Sequence, residues 1–252
     1  MDVAQQVAAI DAEIRDAGRR ERAEAERRYL KSALVHYGVR VPVLRTTARA
    51  VLRTHRDLTH DQLIELATRL WDEPVEAPVH ERRFLATVLL SSRLDLLVPA
   101  DLVLLERLLR ESRTWALLDL LAADVGSALL DDQPWADEVL DRWADDGDFW
   151  IRRSALLAHL RPLGAGRGDL VRFLRYADAM LDEREFFIRK AIGWVLRATS
   201  RHRPDEVYAW LLPRAARVSG VTFREAVKYL PDAPRNLLML RRGQAEAAKC
   251  PN

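Results

Sequence analysis

The stretch FWIRR occupies residues 149–153 and FFIRK occupies residues 186–190, 37 positions further on. Both read aromatic, aromatic, Ile, Arg and a second basic residue. Helical repeats produce such recurrence, and so do surfaces that clamp a nucleic acid, so the neighbouring sequence has to decide. HERRFLA begins at His80, WALLDLL at Trp115, WIRRSAL at Trp150 and FIRKAIG at Phe187, with offsets of 35, 35 and 37. FREAVKYL, from Phe223, matches IRKAIGWV, from Ile188, at an offset of 35 again. Each unit is long enough for two antiparallel helices, and one such pair cannot bury its apolar face alone. Stacked pairs predict an all-α, HEAT-like α-solenoid with a concave face open to a partner.

Local signals agree with helices. Prolines punctuate segments of 10 to 18 residues whose apolar positions fall at i, i+3, i+4 and i+7. LTHDQLIELATRLW reads as a helix with Thr59 as its N-cap, and QPWADEVLDRWADD as one with Pro134 in its first turn. Alternating β-branched runs are absent. One repeat domain is expected over residues 1–240, followed by a frayed tail over 241–252.

Composition narrows the function classes. Of 252 residues 49% are apolar, which fits a globular chain with a substantial core. No run of about 18 apolar residues suggests a membrane span. The start lacks a basic segment followed by a long apolar stretch, so a secretory signal is not expected. Cys250 is the sole cysteine, which excludes an internal disulfide and fits a reducing cytoplasm. The net charge of +2 conceals an asymmetry: residues 1–148 carry 20 Lys/Arg against 28 Asp/Glu, and residues 149–252 carry 20 against 10. A basic second half points toward a polyanion. Arginines number 36 against four lysines, which suits bidentate phosphate contact and equally suits a GC-rich coding sequence.

Two stripes depart from plain repeat packing. On TWALLDLLAADVG, Trp115, Asp119, Ala122, Ala123 and Gly126 share one helical face, separate from Leu117, Leu118, Leu121 and Val125. A carboxylate among small neighbours reads as an open cleft, or as a solvent-facing Asp beside a structural Trp. In the fourth unit Lys190, Trp194, Arg197 and Arg201 form a basic-aromatic face, with Arg152 and Arg153 in the corresponding places one unit earlier. That face reads as a phosphate grip with a ring for a base or sugar, or as a solvated basic surface around a packed Trp. The six histidines show no HExxH or His–Cys spacing, so neither metal nor cofactor is expected. PLGAGRGDL follows no strand and reads as an inter-helix loop. No nucleophile elbow is present.

TWALLDLLA, DFWIRRSALLAHL and FFIRKAIGWVLR together resemble the AlkD-type DNA alkylation repair enzymes. YLKSALVHYGVRVPVLR, LWDEPVEAPVHERRFLA and VSGVTFREAVKYL extend the likeness over roughly residues 25 to 231. The resemblance implies a HEAT-like, cofactor-free DNA glycosylase. It would excise cationic N3- and N7-alkylpurines such as 3-methyladenine and 7-methylguanine from duplex DNA, working on sugar and backbone while the lesion stays near the stack. By that resemblance Trp115, Asp119 and Trp194 match the catalytic cleft, and Arg153 and Arg197 match basic positions facing the DNA backbone. Family members often carry an acidic residue directly after the first Trp; here it is Ala116. Action as a monomer would suit a clamp on duplex DNA. A non-catalytic HEAT protein for bent or branched DNA, and a protein–protein scaffold, are the alternatives.

Overall fold

The computed structural model describes residues 1–131 and 133–247. The chain is all-α, as the repeat register predicts. The helices are α1 (Val3–Asp16), α2 (Arg20–Leu30), α3 (Val41–Thr54), α4 (His60–Asp72), α5 (His80–Ser92), α6 (Leu102–Ser112), α7 (Trp115–Leu120), α8 (Ser127–Leu130), α9 (Ala136–Ala144), α10 (Phe149–Leu157), α11 (Leu160–Gly164), α12 (Leu170–Ala179), α13 (Phe186–Thr199), α14 (Pro204–Leu211), α15 (Gly220–Ala226) and α16 (Asp232–Ala247). A π-helical turn, Leu121–Gly126, joins α7 to α8. The repeat marks fall where helices begin: His80, Trp115, Phe149 and Phe186 each open one.

The contacts group the chain into two compact units, Met1–Leu129 and a second beginning at Leu130. The expected tail over 241–252 is helical through Ala247, because Arg242 donates to the carbonyls of Ala215 (3.1 Å) and Val218 (2.9 Å) and stacks on Phe223. Residues 248–252, including Cys250, lie outside the described residues. In addition, α9 starts at Ala136, so Pro134 precedes the helix instead of entering it.

In the first unit α5 is the axis, buried from His80 to Arg82 and from Phe84 to Leu90 and packed by α3, α4, α7 and the π turn. Thr59 and Gln62 close a reciprocal capping box on α4, and α4 lays Leu63, Leu66, Ala67, Leu70 and Trp71 on that core. Residues 35–39 are strapped to the start of α5. Val35 forms a single parallel bridge with Val79, and the fully buried Glu81 carboxylate accepts the backbone N–H groups of Tyr37, Gly38 and Val39. Gly38 is needed there: its φ is +79°, and a Cβ would meet the Arg19 carbonyl oxygen at 2.1 Å.

In the second unit α13 is the axis, flanked by α10, α11, α14 and α15. It buries Ile188, Ala191, Ile192, Val195, Leu196 and Thr199. Its approach to α15 depends on Gly193, where a Cβ would stand 2.8 Å from the Glu225 Cβ and 2.9 Å from the Thr222 carbonyl oxygen.

The recurring basic pairs resolve as packing elements. Arg152 and Arg189 each reach back to a carbonyl six residues upstream, Asp146 (2.7 Å) and Glu183 (2.6 Å). The following basic residue reaches forward toward the next helix pair: Arg83 to the Glu111 carbonyl (3.2 Å), Arg153 to the Phe187 carbonyl, and Lys190 to the Glu225 carboxylate. Gly193→Ala is expected to lower unfolding stability by about 1–3 kcal/mol, the usual penalty for overpacking. Urea denaturation, with an unchanged m-value, checks it.

Candidate functional site

The sequence-selected residues fall into two patches, one in each unit. In the first, buried Thr114 caps α7 by accepting the Ala116 N–H at 3.4 Å. Trp115 therefore stands at the first helical position. Asp119 lies one turn further along the same face, and both are half-buried, while Leu117 and Leu118 point into the core. Tyr29, 73% exposed near the end of α2, makes a T-shaped contact with Trp115, with ring centroids 6.3 Å apart and planes at 87°. Sequence reasoning missed Tyr29, whose only signal is a lone aromatic on a highly charged helix.

The rest of that stripe departs from expectation. Ala122, Ala123 and Gly126 are buried and packed toward α5 and α6. The cause is the π turn, which begins two residues after Asp119. A wider turn changes the angular step per residue, so spacings drawn for a regular helix no longer keep one face.

In the second patch Lys190, Trp194 and Arg197 occupy one half-exposed face of α13, and exposed Arg201 follows its end. Trp194 lines a groove of about 430 Å³ together with Arg161, Arg197, Arg201 and Tyr229. The Arg201 guanidinium lies 4.3 Å above the Tyr229 ring. Gly164, Ala165 and Ala198 keep the groove open between these larger side chains. Arg161 and Tyr229 were not singled out by sequence, because they come from outside the α13 stripe.

The cations are not equivalent. Lys190 and Arg197 both donate to the Glu225 carboxylate. Arg152 forms a two-pronged pair with Glu183 at 2.9 and 2.8 Å. Arg153, expected to face DNA, is only 2% exposed, with its guanidinium over the Phe187 ring. It is a core residue because α10 is enclosed by α9, α12 and α13. Arg161 and Arg201 line the groove apart from the Glu225 clamp.

A family model described as "DNA alkylation repair enzyme" matches residues 10–230. The chain belongs to that family. Membership places this DNA alkylation repair protein in the repair of alkylated DNA. Among solved structures it is similar to a "Predicted DNA alkylation repair enzyme from Enterococcus faecalis", at a TM-score of 0.71 and 21% identity, covering 86% of this chain and 98% of that one. That likeness is one of fold. No curated protein matches it. No described helix of this family member is long and apolar enough to cross a membrane.

Electrostatics in the second patch centre on Glu225. Burial would raise its pKa, but the Lys190 hydrogen bond and the charges of Arg197, Lys190 and Lys228 hold it below the ordinary glutamate value. Such a carboxylate stabilises the fold fully above the unfolded glutamate pKa of about 4.3, and the contribution is lost as pH falls through the lower folded value. Glu225→Gln should therefore lower the Tm at neutral pH, with its gap to wild type closing as the pH drops below about 4.3. Parallel thermal melts from pH 7 to 3 measure this.

Proposed function

We propose that the protein is a monofunctional alkylpurine DNA glycosylase that hydrolyses the N-glycosidic bond of cationic N3- or N7-alkylated purines in duplex DNA. The observation that carries the reading is Asp119, one helical turn from Trp115 on a half-exposed face, with the Tyr29 ring packed at right angles to Trp115, in a chain of an alkylation repair family.

Alkylation at N3 or N7 leaves the purine with a formal positive charge, so the base departs neutral and needs no general acid. Ordinary glycoside hydrolysis, by contrast, uses two carboxylates. The C1′–N bond breaks with its electron pair going to the base. Positive charge develops on the sugar, and Asp119 stabilises it electrostatically. Water adds to C1′, and its proton passes to Asp119 or to solvent, leaving an abasic site. Trp115 offers a π-face to the cationic base or sugar, a contact worth about 0.5–2 kcal/mol.

Trp194, which the family resemblance assigns to the same reaction, lines the arginine groove and presents an aromatic ring to a nucleotide. Arg201 and Arg161 contact phosphates, and Arg197 and Lys190 join them as Glu225 yields to phosphate. Arg153, buried, takes no part in DNA contact. The 35-residue register makes the fold HEAT-like in this reading, acting as a single chain.

Wild-type protein should release 7-methylguanine or 3-methyladenine from methylated duplex DNA. Asp119→Asn should slow release by about 10²-fold or more, the scale for losing one preorganised electrostatic group, with DNA affinity retained. If the wild type releases no base yet binds duplex, the non-catalytic DNA-binding reading replaces this one. Arg201→Ala should make the dependence of log K on log salt shallower by about one unit, measured by fluorescence anisotropy.

A further inference from the structure

We propose that Glu26, His36 and Glu81 form a buried site for one divalent transition-metal ion, Zn²⁺ being the ion to test, at the junction of α2, residues 31–40 and α5.

The His36 side chain is 1% exposed, and neither of its ring nitrogens has a hydrogen-bond partner. Glu26 Oε2, within ion-pair range of His36 Nδ1, and His80 Nδ1 are also buried without a hydrogen-bond partner. These account for four of the seven such atoms among the described residues, gathered in one place. Buried polar groups are otherwise almost always paired, so the concentration marks a spot built for something that accepts lone pairs. Glu26 Oε2 and His36 Nδ1 stand 3.9 Å apart, too far for a hydrogen bond.

One donor atom from each of Glu26, His36 and Glu81 lies within 4.8 Å of the others. A single imidazole with two carboxylates is a nitrogen–oxygen set suited to Zn²⁺, and two carboxylates balance a double positive charge inside the protein. Zinc holds such ligands at about 2.0–2.2 Å, so the ion must draw the three together. Glu26, 18% exposed and reaching in from α2, is the ligand able to turn.

The other two are already aimed. Glu81 is fixed by the backbone N–H groups of Tyr37, Gly38 and Val39. His36 is stacked on His80 with centroids 4.5 Å apart and planes at 11°, an alignment set by the Val35–Val79 bridge immediately before both. Ordered outer contacts of this kind accompany metal ligands. An ion there ties α2, and with it Tyr29 three residues beyond Glu26, to the axis of the first unit.

The test uses the full chain, stripped with a chelator and titrated with Zn²⁺ against a chromophoric competitor, with Co²⁺ absorption reporting the ligand field. One ion per chain and a rise in Tm are expected. His36→Ala and Glu26→Gln should each lose affinity by more than the about 10–100-fold typical of an outer-shell change, while far-UV circular dichroism stays unchanged. Glu26→Gln, nearly isosteric, decides alone if His36→Ala does not fold. No Tm rise with Zn²⁺, binding undiminished in the folded variants, or a zinc-soaked crystal showing only water between these side chains overturns the proposal. Base release is not the readout, so none of these outcomes bears on the glycosylase reading.

Discussion

Arginine side chains bonded to backbone carbonyls hold consecutive helix pairs together in both units. Arg83 joins α5 to the carbonyls of Trp71 and Glu111, and Arg153 joins α10 to the start of α13. A guanidinium has five donors in a planar fork and is always charged, so a carbonyl at a helix end is a fitting acceptor inside a protein. Each contact sits over an aromatic ring, Trp71 for Arg83 and Phe187 for Arg153, which covers one face of the cation. Losing either arginine removes a charged donor from a part-buried carbonyl. The stacking of helix pairs, and so the presentation of both patches, depends on these contacts.

That arrangement answers the question posed by FWIRR and FFIRK. A periodic basic pair looks the same in sequence whether it faces phosphate or carbonyl, because spacing reports the repeat and not its environment. The helix starts at His80, Trp115, Phe149 and Phe186 were legible for the same reason: aromatic and apolar residues recur wherever a new pair begins. The inward turn of Arg153 was not legible. It follows from α10 being enclosed on several sides, which only tertiary packing decides.

The candidate site was legible in part. Trp115 and Asp119 share a face because a single turn of regular helix separates them, and Trp194 stands on the half-exposed side of α13 as its periodicity requires. Tyr29, Arg161 and Tyr229 come from other segments, and no local pattern connects them to either patch. Glu26, His36 and Glu81 are spread over three segments in the same way, so they escape any search for metal-ligand spacing along one helix. The Glu225 clamp also depends on distance along the chain being closed by packing, through a glycine at 193 that lets α15 approach.

The π turn at Leu121–Gly126 has an evolutionary consequence. A π turn accommodates a residue inserted into a helix without lengthening either flanking connection. The segment before it and the segment after it thus keep separate rotational phases. Changes in α7 alone can re-aim the Asp119 side chain, while Leu129 and Leu130 in α8 keep their buried positions.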